Sequence, residues 1–176
     1  MPMKTFGLWA IAIAALVVVG GVAGYVFLYQ GDVAVSVKDA PTLGSWSHVY
    51  VTFSAVDIHE SGKDNATWSE PFSGKATVDL ATLTNVSQLL GSAHLSPGHY
   101  EQVRLTVTNV TGVFAGVTVY LTVVNGTAKI AEQFDVVSGK TTAITVDVDL
   151  TQSIHGKLAA GFTFTPVFGA TASPPH

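Results

Sequence analysis

From residue 31 onward, apolar side chains fall on every second position, and this period of two limits the fold more than any other feature of the chain. Val33, Val35 and Val37 alternate with Ala34, Ser36 and Lys38 before Asp39-Ala40-Pro41 ends the run. Val49, Val51 and Phe53 define a second strand. Its phase then slips to Val56 and Ile58, so a β-bulge is expected near Ser54-Ala55. Further strands are read at Lys75–Leu80, Val103–Thr108, Val117–Val123, Thr127–Ile130, Phe134–Val137, Ala143–Leu150 and Phe162–Val167. Asn125-Gly126 has the chemistry of a type I′ hairpin turn. One stretch breaks the period: Leu80, Leu83, Val86 and Leu90 recur at helical spacing and Gly91 closes them, which predicts one short helix. The expected fold is an all-β, antiparallel Greek-key β-sandwich of the transthyretin or immunoglobulin type over residues 31–168, with one short helix and a disordered tail at 169–176.

Ahead of this domain, residues 1–30 form an anchor or signal segment. Phe6 to Tyr29 is a run of twenty-four residues without a charge. As a helix it would extend about 36 Å, enough to cross a hydrocarbon layer of about 30 Å with some tilt. Lys4 precedes the run and Asp32 follows it, so the positive-inside rule leaves the N-terminus in the cytoplasm and exports the rest. Trp9, Tyr25 and Tyr29 lie near its ends, where amphipathic rings favour the interface. Two other readings compete. Gly21-Val22-Ala23 could serve a signal peptidase, although the apolar run continues past it to Tyr29. A pilin-like assembly helix cut near Gly7 would want a charge just before the cut, where Thr5 and Phe6 stand. The expected location is the cell membrane, single-pass, with the C-terminal domain extracellular.

Composition narrows the function classes. Charged residues make up only 11% of the 176, against roughly a quarter in an average soluble protein, while hydrophobic residues reach 48%. The net charge of −4 and the scattered Lys and Arg argue against nucleic acid as a partner. The chain has no cysteine, which removes disulfides, thiolate catalysis and cysteine-based zinc sites. A domain of this length buries enough surface to fold without disulfides, so their absence is compatible with export.

All four asparagines stand in N-x-S/T sequons: Asn65, Asn85, Asn109 and Asn125. Ser and Thr are about one residue in five, so four of four by chance is on the order of 0.2%. These four are the expected N-glycosylation sites, and glycans attach only on the exported side. The competing explanation is ordinary turn chemistry in a Thr-rich chain. Glycans without disulfides suit an archaeal envelope.

No residue is assigned as catalytic, cofactor-binding or metal-ligating, and no cofactor is expected. Asp147 and Asp149, two apart on a strand, would share an outward face and could offer oxygen ligands to Ca²⁺, but a solvated face explains them equally. Asp57 and His59 would also share a face, and His94 and His99 flank a Pro-Gly turn; the six histidines show no metal-ligand spacing. Ser, His and Asp are present without a Gly-x-Ser-x-Gly elbow, so no hydrolase is read.

An ordered series of short motifs adds a resemblance. Val37-Lys-Asp-Ala-Pro41 is followed by His48-Val-Tyr-Val-Thr-Phe53, Val56-Asp-Ile-His59, Trp68, Thr77-Val-Asp-Leu80 and Leu90-Gly91. Then come Leu95-Ser-Pro-Gly-His-Tyr100 with Gln102-Val-Arg-Leu105, Phe134, Thr145-Val-Asp-Val-Asp149 with Ser153, and Phe164-Thr-Pro166. In this order the chain resembles the domain-of-unknown-function 4382 family of exported prokaryotic proteins over nearly all of residues 31–168. The resemblance implies a transthyretin-like or immunoglobulin-like sandwich and no assigned activity. Structural roles are expected for its positions: Tyr100 at a sandwich corner, Asp79 capping the short helix, Asp39 closing a turn. Three functions remain: a non-catalytic cell-surface, envelope or adhesion module; a filament subunit, by pilin-like helix packing or by donation of the strand beginning at Asp32 to a neighbour; and a surface metal-binding protein. The partners they imply are the membrane through residues 6–29, N-linked glycans, and other copies or envelope proteins.

Overall fold

The structure, a computed structural model, describes residues 29–39, 44–64, 68–83 and 86–176. Phe6 to Leu28 of the expected anchor, the Ala40-Pro41 turn, Asn65 and Asn85 lie outside these residues. Among the described residues no helix is long and apolar enough to cross a membrane.

Eleven strands follow one another: β1 (Gly31–Asp39), β2 (Trp46–Glu60), β3 (Ser69–Asp79), β4 (Gln88–Leu95), β5 (Gly98–Phe114), β6 (Val117–Val123), β7 (Thr127–Val136), β8 (Thr141–Val148), β9 (Ile154–Lys157), β10 (Gly161–Phe164) and β11 (Phe168–Ala172). A four-residue helix, α1 (Leu150–Ser153), sits between β8 and β9. The strands make two sheets: four strands ordered β11-β8-β1-β4, and seven ordered β3-β2-β5-β6-β10-β9 with β7 also on β5. The domain is all-β and sandwich-like. One apolar core lies between the layers, with Val33, Val35 and Val37 from one sheet and Phe53, Leu105 and Phe164 from the other fully or almost fully buried.

The alternation reads through into packing. On β8, Thr142, Ile144, Val146 and Val148 face inward in strict period two. β2 carries its bulge at the expected place, since pairing with both β3 and β5 jumps from Phe53 to Ala55. β5 has a second bulge, where the register passes from Asn109 to Val107 against Thr52 and Phe53. This is why its buried side chains change from odd numbers (Val103, Leu105, Val107) to even (Val110).

Four expectations need correction. The sheets are mixed rather than antiparallel: β1 runs parallel to β8, and β10 parallel to β6. The burial pattern of a strand is the same in either orientation, so alternation could not distinguish them. The predicted helix at Leu80–Leu90 is a single 3-10 turn, Leu80–Thr82, followed by β4. Gly91 is a place of close approach there rather than a helix stop: a Cβ on it would meet the Phe72 Cβ of β3 at 2.9 Å and its ring at 3.2 Å. Asn125-Gly126 does not join two paired strands. β6 and β7 both pair with β5, on its second and first halves, and only Asn125 of the two takes a positive φ, so the turn is not type I′. Lastly, the tail at 169–176 is ordered: β11 pairs with β8, and the His176 amide and carbonyl both bond to Thr141.

β1 lies between β4 and β8 of its own chain, which leaves it no free edge to donate to a neighbour. Its first residues are tied to the β7–β8 turn through Gly139 N–H to the Gln30 carbonyl and Asp32 N–H to the Lys140 carbonyl. The chain therefore enters the sandwich at one end. β8 runs parallel to β1 and passes into α1 at the other end, through Asp149.

Candidate functional site

The end of the sandwich opposite the chain's entry holds a cavity of about 330 Å³. Its floor is three rings. Trp46 opens β2, Phe114 closes β5 as its register partner, and Phe162 lies on β10. Ring centroids are 5.1 Å apart for Trp46–Phe114, 4.9 Å for Trp46–Phe162 and 5.1 Å for Phe114–Phe162, all tilted or edge-to-face, the geometry aromatic quadrupoles favour. Gly112 makes room for this cluster, because a Cβ there would come within 2.7 Å of the Trp46 ring.

The wall comes from the segment after β8. Asp149 caps α1: its carboxylate accepts the Thr151 hydroxyl at 2.6 Å, the Gln152 amide N–H at 3.0 Å and the Gln152 side-chain amide at 2.7 Å. These bonds hold its pKa below the ordinary carboxylate value, the Thr151 hydroxyl contributing most. The cap reverses the chain so that Leu150 is buried and Ser153 faces inward. There the Ser153 hydroxyl accepts Val167 N–H at 2.9 Å and its carbonyl accepts Thr165 N–H at 2.8 Å. Ile154, half-exposed Leu158 and Lys157 complete the rim. The result is an open, ring-floored cavity of mixed polarity, with Thr151 and Lys157 among its lining residues and no nucleophile–base pair among them.

A polar cluster occupies the outer face of the larger sheet near the other end. Asp57 and His59, neighbours on β2, do share that face, and both are buried there, His59 to 1% exposure. Arg104 on β5 donates through Nε to Asp57 at 2.8 Å and lies over the Trp68 ring at 4.2 Å. His59 bonds through Nε2 to the Asp64 carbonyl at 2.9 Å and packs against Trp68, while its Nδ1 stands 3.4 Å from Glu101 without hydrogen-bond geometry. Here a loop is fastened over a sheet.

The remaining candidates disperse. Asp149 is the α1 cap and Asp147 pairs with Lys38 at 3.2 Å, so the two carboxylates serve separate local roles. His94 pairs with Asp32 and His99 with Asp135, on different strands, and do not converge. Among the described residues no three His, Asp or Glu side chains gather to hold a metal. Asp79 does not cap a helix through its side chain; it accepts the Val49 amide at 3.0 Å and pairs with His48 at 2.6 Å. Tyr100 does anchor a corner, its hydroxyl donating to the Ser96 carbonyl at 2.9 Å. Burial, with Glu60 nearby, raises its pKa. Of the sequons, Asn109 is exposed on β5 and Asn125 is exposed in the loop after β6. The ring-floored cavity was not foreseen, since Trp46, Phe114 and Phe162 are far apart in sequence and carry no motif.

Fold and site together define an all-β, sandwich-like domain with a ligand-sized cavity at one end. Residues 30–166 match the family model of the domain of unknown function DUF4382, and the chain belongs to that family. No curated protein matches it. Among solved structures it is similar to a candidate cell adhesion protein from Bacteroides eggerthii, at 15% identity and a TM-score of 0.33, over 83% of this chain and 56% of that one. A likeness so distant carries no argument about function, and this chain spans little more than half of that protein's length.

Proposed function

We propose that the chain is a membrane-tethered surface module: a single-pass anchor within residues 6–29 holds an extracellular, N-glycosylated sandwich that binds a partner without catalysing a reaction, as an envelope or adhesion module. The observation that carries this reading is the layout of the domain. Residue 29 enters at one end, where Gln30 and Asp32 are tied to the β7–β8 turn, and the cavity over Trp46, Phe114 and Phe162 opens at the other. A tether at the first end would project the cavity away from the lipid. The uncharged run from Phe6 to Tyr29 and the four sequons support the same topology.

The test is to express the full chain with a C-terminal epitope in a host that modifies N-x-S/T sequons, and to treat intact cells with protease. We expect the epitope to be lost from intact cells, the protein to leave the membrane fraction only with detergent, and sugar to be found by mass spectrometry. An unmodified chain with a protected epitope would overturn the reading. Polymers that sediment and survive mild detergent would replace it with a filament subunit built on packed helices.

A further inference from the structure

The outer face of the larger sheet carries a row of side chains that the cavity does not use. Asp79 on β3, Tyr50 on β2, Thr111 on β5 and Tyr120 on β6 are successive register partners, so they cross four strands on one line. Tyr120 is 79% exposed and Tyr50 37%, a large aromatic surface to leave in water near the middle of a sheet. His48 stacks on Tyr50, centroids 5.7 Å apart and planes 7° from parallel, and its own ring is held by Asp79. Tyr50 is thus backed and fixed on one side. The two tyrosines flank β5 at one strand spacing each, roughly 10 Å apart in all. Between them stands only Thr111, so the rings wall a shallow trough that runs along β5.

Asn109 lies at the head of this trough. It precedes Thr111 by two residues and so projects from the same face, roughly 7 Å along the strand. It is exposed and stands opposite Thr52, whose hydroxyl is bonded to Thr77 at 2.9 Å. Thr111, the floor of the trough, is also the threonine that completes the Asn109 sequon. A sugar attached to Asn109 therefore begins one side-chain row from two aromatic walls.

We infer that an N-glycan on Asn109 lies in this trough, with the apolar C–H faces of its first pyranose rings packed against Tyr50 and Tyr120. The tether selects this occupant over a free saccharide or a protein partner. A pyranose presents a flat face of weakly polarised C–H groups, which match the negative face of a tyrosine ring, and it keeps its hydroxyls at the edge for water. The attached glycan pays no translational entropy to arrive, because the covalent bond holds it at high effective concentration. Asn125, in a loop, has no such surface given by strand register, so its glycan would extend into solvent. The sugar at Asn109 then serves as part of the sandwich's outer face, covering rings that would otherwise invite association.

This inference rests on the exported, glycosylated reading above, and the experiment separates the two. The full chain is made in a host that modifies N-x-S/T sequons and purified in mild detergent; mass spectrometry reports each sequon. Thermal midpoints are then measured for Asn109→Gln in the parent and in a Tyr50→Ala, Tyr120→Ala background. We expect Asn109 to be occupied and its removal to lower the midpoint by about 3 °C in the parent but by under roughly 1 °C in the alanine background, on the usual scaling for a domain of this size. Tyr120→Phe, which keeps the ring, should preserve the full loss. A second readout needs no destabilised background: under native conditions an endoglycosidase should trim the Asn125 sugar well before the Asn109 sugar. Equal losses in both backgrounds, equal trimming rates, or an occupied Asn125 beside an empty Asn109 would overturn the inference alone. A chain with no sugar at any sequon would overturn the exported reading as well.

Discussion

Single side chains at the ends of strands determine how this sandwich closes. Asp149 follows the last residue of β8 and takes three hydrogen bonds from Thr151 and Gln152, two and three residues further on, so β8 stops and Leu150 turns into the core. Asp149→Ala should lower stability by about 1 kcal/mol, the usual worth of a lost N-cap, measured by denaturant unfolding at neutral pH. Its depressed pKa sets the pH dependence. A carboxylate whose folded pKa lies below its unfolded value stabilises fully above the unfolded value and ceases to do so as pH falls through the folded one. The stability gap between the parent and Asp149→Ala should therefore hold from neutrality down to about pH 4 and narrow below it. A gap unchanged at lower pH would mean that the charge on Asp149 is not what caps α1. Tyr100, Asp79 and Ser153 work in the same way, each using a polar atom to fasten one segment to another.

At the scale of elements, β5 organises the larger sheet. Its seventeen residues pair along one edge with β2 throughout, and along the other with β7 first and β6 second. The change of partner falls at the bulge near Thr108, where Val107 N–H is satisfied by the Gly126 carbonyl at 2.7 Å from the loop between β6 and β7. Gly126 must pass so close that an added Cβ would stand 2.4 Å from the Val107 carbonyl oxygen. Gly126→Ala should cost about 1–3 kcal/mol, as overpacking of a well-ordered site does, and it should loosen β6 and β7 together. Hydrogen exchange would show this as faster exchange at Val107 and along both strands; a loss confined to the loop would contradict it. The Asn125-Gly126 pair was legible as a turn, but which strands it connects was not. A turn dipeptide reports local backbone geometry, and the pairing of β7 with the far half of β5 is a long-range contact that leaves no local mark.

For the molecule as a whole, both sheets share one core, so they should unfold together. Ile144 on β8 is fully buried and belongs to the smaller sheet, while Trp46 reports from the larger. Ile144→Ala should cost about 2–5 kcal/mol and, with Trp9 and Trp68 replaced by Phe so that Trp46 alone reports, shift the fluorescence and far-ultraviolet dichroism transitions by the same amount. Separate shifts would mean two independently stable layers. The sequence by itself determined that the domain is all-β, which residues of β1, β2 and β8 face inward, and where β2 bulges, because side-chain alternation is a local consequence of the pleat. It also placed Tyr100 at its corner, since that bond spans four residues. Only the tertiary structure decided that β1 and β8 run parallel, that Leu80–Leu90 yields a turn and an edge strand instead of a helix, and that Trp46, Phe114 and Phe162 meet at one end. Those outcomes depend on which distant segments pair and how closely their backbones approach, and neither strand direction nor a meeting of rings changes the local pattern of apolar and polar residues.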